Sequence, residues 1–307
     1  MSAYSPGPPQ WEPDNRRTIR RLSLLIVVFC LLAVCTVRPH AVRAAVEEFE
    51  SMMGRKSDAA PAVPAKVPRR AQGPLDAMTP QAQAELLLDE SVHNEEGALE
   101  DLYARAGGWR EYVQMTPKLS QELDAALNAN DLEVRGAALE IYLAVYDVEK
   151  QPAGVSTLEQ RISAEPDARP WALFSLGALG NRGVEPIAVL RKLSDYANDP
   201  NAETRAWAIE GLAILGTNEA IDPLLEALHS DPSPVVRERA ACGLAEAGMF
   251  THEQRMTAVP RLLDLAEDSS LDATARGYVF RALQDITHGG KGSDAQAWRK
   301  WWDKNGH

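Results

Sequence analysis

A pattern that recurs five times between residues 131 and 287 constrains the fold more than any other feature of the chain. Each copy has an arginine, a small or β-branched residue three positions later, and mostly large apolar residues seven and ten positions later. The arginines are Arg135, Arg169, Arg205, Arg237 and Arg276. Offsets of three, seven and ten lie on one face of an α-helix. Because one such helix cannot hide its apolar face alone, the copies must stack on one another around a shared core.

Breaker residues divide the repeated segment into pairs of helices. Glycine ends three of the copies, and a second helix with proline in its first turn follows three of them. The glycines are Gly180, Gly216 and Gly248, and the prolines are Pro186, Pro223 and Pro260. Threonine before proline marks two earlier helix starts, at Thr79 and Thr116. No convincing alternation of apolar and polar residues predicts a strand after Thr79.

With these residues the chain resembles the HEAT-repeat family, in the bacterial form also found in phycobilisome-lyase-type repeats. The resemblance covers about residues 119–290, with residues 79–118 as a helical lead-in. It implies an all-α fold, an α-solenoid of helix pairs wound into a superhelix, whose usual role is to bind other proteins along its curved surface. It also implies a structural role for the repeated arginines, which would hydrogen-bond to acidic or carbonyl groups between stacked units.

Three of the seven tryptophans fall within the last ten residues, where they share one face of a predicted helix over 291–307. They are Trp298, Trp301 and Trp302. We expect Ser293 and Gln296 to form a capping box and Arg299 to reach Asp303 one turn later. The position after the last repeat indicates a cap over the end of the core. An aromatic binding platform is the alternative.

The segment 22–37 carries no charge and is bounded by Arg21 and Arg38. Together with the arginines of residues 1–21, it predicts a membrane anchor with a cytoplasmic N-terminus and an exported body. Residues 38–78 are rich in Ala and Pro and predict a flexible linker. The resulting localisation is a single-pass protein of the bacterial inner membrane with a periplasmic solenoid; bacterial origin rests on the resemblance. Cleavage as a signal peptide, giving a secreted or periplasmic protein, is the alternative.

Charge and cysteine usage exclude several classes of protein. The first 80 residues contain 11 Lys and Arg against 7 Asp and Glu, which leaves 21 against 37 in the rest of the chain. A body this acidic repels nucleic acid, so no nucleic-acid partner is expected. Cys30 and Cys35 lie in the apolar run and Cys242 stands alone, so the body cannot form an internal disulfide. The helical pattern places Cys242 on a buried face, as a packed small hydrophobe.

No pattern in the chain predicts chemistry. Iron-dependent hydroxylases built on such repeats resemble one another in having several His-Glu pairs, whereas this chain has only His252-Glu253, so no metal is expected. The glycine-rich stretch 288–292 follows no strand and is predicted to connect two helices. Nucleophile motifs are also absent, so no cofactor and no catalytic residue are expected. An enzyme or cofactor-binding protein of the lyase type remains the alternative.

The predicted function is therefore that of a non-catalytic, membrane-anchored scaffold or adaptor for protein–protein interactions on the exported side of the membrane. In members of the family the second helices line the concave side, so their exposed charged residues are the candidate partner-binding surface. These candidates are Arg191, Lys192, Glu226, His229, Arg261 and Asp264. A mixed-charge surface suits a protein or peptide partner of unknown identity.

Overall fold

The computed structural model describes residues 66–69 and 74–306, and this part of the chain is all-helical. Its helices are α1 Pro80–Val92, α2 Ala98–Ala106, α3 Pro117–Leu127, α4 Leu132–Val145, α5 Pro152–Ala164, α6 Arg169–Asn181, α7 Pro186–Tyr196, α8 Ala202–Leu215, α9 Ile221–Ser230, α10 Pro234–Cys242, α11 His252–Glu267, α12 Ala273–Thr287 and α13 Ala295–Asn305. A π-helical turn, Gly243–Ala247, continues α10. The predicted anchor 22–37 lies outside the described residues, and no described helix is long and apolar enough to cross a bilayer.

Local signals set most of the helix starts. Thr79 and Thr116 cap α1 and α3, each through a side-chain oxygen that accepts a hydrogen bond from a backbone N–H of the first turn. Thr251 and Gln254 form a capping box at α11. Because α11 begins at this box, Pro260 lies in the helix interior, and its predicted first-turn position is wrong. Gly180 is the penultimate residue of α6, which ends one residue later, at Asn181.

The helices from α5 to α12 form two layers. We call α6, α8, α10 and α12 the arginine helices, because each holds one of the repeated arginines, and α5, α7, α9 and α11 the outer helices. Each outer helix buries one side only, whereas 9 of the 13 residues of α6 and 10 of the 14 residues of α8 are buried. Gly177 of α6 lies against Gly211 of α8, and a β-carbon at Gly177 would overlap the carbonyl oxygen of Gly211. Glycine is therefore required for these two helices to approach so closely.

The N-terminal helices have a second hydrophobic core. Residues of α1 to α4 form this cluster, and the larger cluster extends from α4 to α13. The two clusters meet on α4. Ala138 and Ile141 belong to the N-terminal cluster, and Leu139 and Leu143 belong to the larger cluster. Helix α4 therefore holds the lead-in helices to the repeats.

Helix α4 departs from the repeat pattern because it runs antiparallel to α6. Gly136, near the start of α4, lies against the guanidinium group of Arg182, just after α6, whereas Tyr146, just after α4, stacks on Trp171 near the start of α6. Helices α6 and α8 are parallel, since Asn181 near the end of α6 donates to the carbonyl oxygen of Leu215 at the end of α8. The recurrence of the arginines, 32 to 39 residues apart, therefore predicts the stacking of four helices but not of α4.

Arg135 of α4 binds a distant part of the chain. Its guanidinium group donates to the carbonyl oxygens of Glu246 and Gly248, at the end of the π-helical turn. Arg255 of α11 donates to Gly248 as well, and to Ala245. Burial and the neighbouring Arg135 lower the pKa of Arg255 to about 10. The guanidinium groups of Arg135 and Arg255 thus donate hydrogen bonds to backbone carbonyl groups that have no helical partner at the end of the π-helical turn.

Part of the predicted linker is bound to the helical body. The backbone of Val67 exchanges hydrogen bonds of 2.9 Å with Asn94 and Glu96, beyond α1. Arg69 forms ion pairs with Glu90 of α1 and Asp101 of α2, and Glu90 is only 1% exposed. The prediction that residues 38–78 are flexible throughout is therefore wrong for residues 66–69, because backbone pairing and a buried carboxylate hold them.

Candidate functional site

Four of the five repeated arginines occupy equivalent places at the start of an arginine helix. Arg169 donates to the carbonyl oxygen of Ile162, and Arg276 donates to that of Leu271. The other two reach carboxylates of the next unit along the stack: Arg205 binds Asp231 and Arg237 binds Asp272. These partners connect neighbouring segments of the stack and leave little of the guanidinium groups for a ligand.

The C-terminal helix α13 packs against α11. Trp298 is 1% exposed, and its indole N–H donates to the carbonyl oxygen of Gly292 at 2.9 Å. Trp301 meets Trp298 edge to face, and Trp301 and Trp302 pack half-buried against the larger core. Trp298 is thus buried at the C-terminal end of the larger core, and little of its ring is accessible to a ligand.

Two details of the predicted C-terminal helix are wrong. Asp294, one residue after Ser293, is the N-cap, because its carboxylate accepts a hydrogen bond of 2.9 Å from the backbone N–H of Ala297. Arg299 does not pair with Asp303; its guanidinium group binds Asp264 and Glu267 of α11 instead. Arg299 gains two carboxylate partners on α11. An ion pair with Asp303 within the exposed helix α13 would stabilise the chain by only about 0.3–0.5 kcal/mol.

The six candidate residues on the second helices lie along three outer helices and do not converge on one site. Three of them form ion pairs, and His229 forms a hydrogen bond, with a neighbouring element of the stack. Lys192 of α7 binds Glu159 of α5, Arg261 of α11 binds Asp222 of α9, His229 of α9 binds Asp268 after α11, and Asp264 of α11 binds Arg299 of α13. Arg191 and Glu226 are exposed. The charges of the outer helices thus mainly join one helix to the next.

An open cleft lies between α7 and α9. It has a volume of about 580 Å³, and Ser194 of α7 and Ala197, just after α7, face Glu226 and Ala227 of α9 across it. Glu226 is the only one of the six candidate residues that lines it. The size falls within the roughly 300–1,000 Å³ that is usual for ligand pockets.

A second surface, which the sequence argument missed, runs across the arginine helices α8, α10 and α12. It is formed by the residues two and five positions after each repeated arginine, and we call it the Trp207 face. These residues are Trp207, Glu210, Arg239, Cys242, Tyr278 and Arg281. The guanidinium group of Arg239 lies over the Trp207 ring at 4.6 Å. Desolvation raises the pKa of Glu210, and the Arg239 cation offsets only part of this effect.

Helix α4 already covers the first part of this row of positions. Trp171 and Phe174 lie two and five positions after Arg169 of α6. Tyr146, just after α4, packs on Trp171 with ring centroids 4.9 Å apart, and Tyr142 of α4 packs on Phe174 at 4.5 Å. The sequence did carry a signal for this surface, because Trp171 and Trp207 occupy the same position of two successive repeats. That position lies off the buried stripe on which the repeats were aligned.

Cys242 lies on the Trp207 face and is exposed, so the prediction of a packed small hydrophobe is wrong. Desolvation of the sulfur and the nearby carboxylate of Glu238 raise the pKa of its thiol. The thiolate, which is the nucleophilic form, is therefore scarce at neutral pH. Among the described residues no group of three or more His, Cys, Asp or Glu side chains is placed to hold a metal ion.

Comparisons with known proteins agree with the helical repeats. The family described as HEAT repeats matches residues 152–245, which run from α5 into the π-helical turn. No curated protein matches the chain. Among solved structures, the crystal structure of an engineered protein aligns over 69% of this chain and 97% of its own, with 19% identity and a TM-score of 0.33. The three helix pairs within residues 152–245 are thus similar to the HEAT-repeat family.

Proposed function

We propose that this chain is a non-catalytic scaffold or adaptor that binds a partner protein through the Trp207 face. HEAT repeats commonly mediate protein–protein interaction, and the match over 152–245 supports this role. We further propose that residues 22–37 anchor the chain in a bacterial inner membrane and that the repeats act on its exported side. The uncharged segment and the arginines before it support that orientation.

The aromatic contact between α4 and α6 is the reason for proposing this surface. The row of positions two and five after each arginine already binds a helix, because α4 lies on Trp171 and Phe174 with Tyr142 and Tyr146, four residues apart. The Trp207 face is the continuation of this row on α8, α10 and α12. The two tyrosines contact Trp171 and Phe174 on α6 and do not cover it. A partner helix with aromatic residues at a spacing of four would meet the same kind of surface.

The residues of the Trp207 face suit an interface. Tryptophan, tyrosine and arginine are the residue types that most often dominate the binding energy of protein interfaces. Trp207 and Arg239 hold one another in place through their stacked contact, so a partner would meet an ordered pair. Cys242 and Arg281 are exposed at its surface.

Cross-linking from Cys242 tests the proposed surface in the full chain. With Cys30→Ser and Cys35→Ser, Cys242 is the only thiol and can carry a maleimide-linked benzophenone; because its pKa is raised, it needs a long labelling time. The matched control moves the thiol to the exposed Asp303 of α13, in a Cys242→Ser, Asp303→Cys background. We expect a discrete protein adduct from position 242, none from position 303, and loss of the adduct in Trp207→Ala or Arg281→Glu.

Three outcomes would contradict the proposal. The first is an adduct that forms equally from positions 242 and 303, which would indicate non-specific capture. The second is an adduct that survives both Trp207→Ala and Arg281→Glu in variants that remain folded by circular dichroism. The third is turnover of a small molecule by the purified chain without any adduct, which would favour an enzyme.

The anchor has a separate test. We expect the intact mass of the mature chain to match all 307 residues and the chain to remain with the membrane after a high-salt wash. Loss of about forty residues would identify a cleaved signal peptide and a soluble exported protein. That outcome would leave the proposed binding surface unaffected.

A further inference from the structure

In the described part of the chain, ion pairs join each outer helix to the next, and α11 to α13, except between α7 and α9. They connect α5 to α7, α9 to α11 and α11 to α13, as described above. Within residues 74–306, no ion pair joins α7 to α9. The cleft of about 580 Å³ lies at this joint. Its walls are therefore free of the long paired side chains that bridge the other joints.

The base of this cleft is rigid and electrically neutral. Arg205 donates to both carboxylate oxygens of Asp231, at 2.7 and 2.9 Å, and to the carbonyl oxygens of Asp199 and Pro200. Small side chains form the walls, among them Ala197 and Ala227. Such walls leave room for main chain and for a long side chain that enters from solvent.

The charges that remain around the cleft are negative. Glu226 is exposed on its wall and Asp199 lies at its end, whereas the cation Arg205 is neutralised by Asp231. Helices α7 and α9 both end here, and the C-terminus of a helix carries the negative end of its dipole. Arg191, an exposed cation of α7, is not among the lining residues. A cationic group is therefore the complementary occupant.

We propose that the cleft between α7 and α9 binds an extended segment of a partner polypeptide through a lysine or arginine side chain. The partner's cation lies between Glu226 and Asp199, and its main chain runs along the alanine and proline residues of the walls. This site is separate from the Trp207 face, which lies on the arginine helices. Each surface can therefore fail its test without the other.

An arrayed library of random octapeptides, probed with the labelled full chain, tests the proposal. We expect the bound peptides to be enriched in Lys and Arg over Asp and Glu. Glu226→Lys places a cation on the wall and should weaken the best peptides at least tenfold. Asp303→Lys, which changes the net charge equally at an exposed position of α13, should change their affinity less than twofold. Ser194→Tyr, which fills the cleft without changing charge, should weaken binding as Glu226→Lys does.

The outcomes are distinguishable. Equal weakening by Glu226→Lys and Asp303→Lys would show attraction to the acidic body as a whole and overturn the proposal. Absence of enrichment in Lys and Arg, or binding that persists in Ser194→Tyr, would also overturn it. A dimer in light scattering that Glu226→Lys dissociates would identify a second copy of the chain as the occupant instead. Retained binding in Trp207→Ala would show that the cleft acts independently of the Trp207 face.

Discussion

Arg205 and Asp231 form a two-pronged ion pair that joins α8 to the end of α9. The Nε and Nη2 groups of Arg205 donate to separate carboxylate oxygens at 2.7 and 2.9 Å, and both residues are buried. Nη1 donates to the carbonyl oxygens of Asp199 and Pro200, between α7 and α8. One side chain thus fixes two successive outer helices to the same arginine helix, with the planar geometry that only arginine provides.

Asp231→Asn is expected to lower the free energy of unfolding by about 3 kcal/mol at pH 7, because Arg205 keeps its buried charge without a counterion. Desolvation opposes ionisation of Asp231, but hydrogen bonds from Arg205 and Ser233 outweigh it and lower the pKa of this carboxyl. The stabilisation is therefore complete above the unfolded pKa of about 3.9 and is lost as pH falls through the lower folded pKa.

Urea unfolding from pH 7 down to pH 3 measures this effect. The difference between wild type and Asp231→Asn should stay constant to about pH 5 and shrink in stronger acid. Asp222→Asn is the matched control, since the pair of Asp222 with Arg261 is exposed and should leave the midpoint almost unchanged. A cost for Asp231→Asn no larger than that for Asp222→Asn would contradict the structural role of the buried pair.

Alanine at two helical glycines should have opposite effects. Gly177→Ala forces α6 away from α8, because the new methyl group would overlap the Gly211 carbonyl, and we expect a loss of about 3 kcal/mol. Gly277 lies in α12 with nothing within 4 Å of a built β-carbon, so Gly277→Ala should stabilise the chain by about 1 kcal/mol. Denaturation of both variants under one condition provides the comparison. A neutral Gly177→Ala would argue against the close approach of these helices.

Trp298→Ala should lower the free energy of unfolding by about 3–5 kcal/mol, because it empties a fully buried site and leaves the Gly292 carbonyl without its donor. Lys300→Ala, on the exposed side of α13, should change it by less than about 0.5 kcal/mol. Urea midpoints of the full chain measure both. Unchanged stability of Trp298→Ala together with the loss of a bound ligand would favour an aromatic binding platform.

The local structure was largely predictable from the sequence. Threonine caps, first-turn proline and the apolar period act within a few residues, so Thr79, Thr116 and the helical character of the repeats could be read directly. The errors arose where two local signals competed. Asp294 and Ser293 are both good caps one residue apart, and Pro260 tolerated an interior position because the Thr251 box started α11 earlier.

The arrangement of α4 and the candidate surfaces could not be predicted in the same way. The helix that contains Arg135 has the same stripe of apolar residues as the other copies, so its sequence does not distinguish it from the other repeats. Its antiparallel placement depends on contacts with Trp171 and Phe174 and with the lead-in helices. Charged residues such as Lys192 looked free for a partner because their ion-pair partners lie on other helices, about a repeat length away in sequence.

The bond from Arg135 to Glu246 changes how this repeat array can come apart. In a linear array each unit touches only its neighbours, so a terminal unit can unfold while the others persist. Here a guanidinium group joins backbone 111 residues away, across several helices of the stack. Helix α4, which packs against the lead-in helices, cannot leave the stack without breaking hydrogen bonds at the π-helical turn after α10. Folding must close this long loop, so the opening of α4 is coupled to the π-helical turn after α10 instead of being confined to neighbouring repeats.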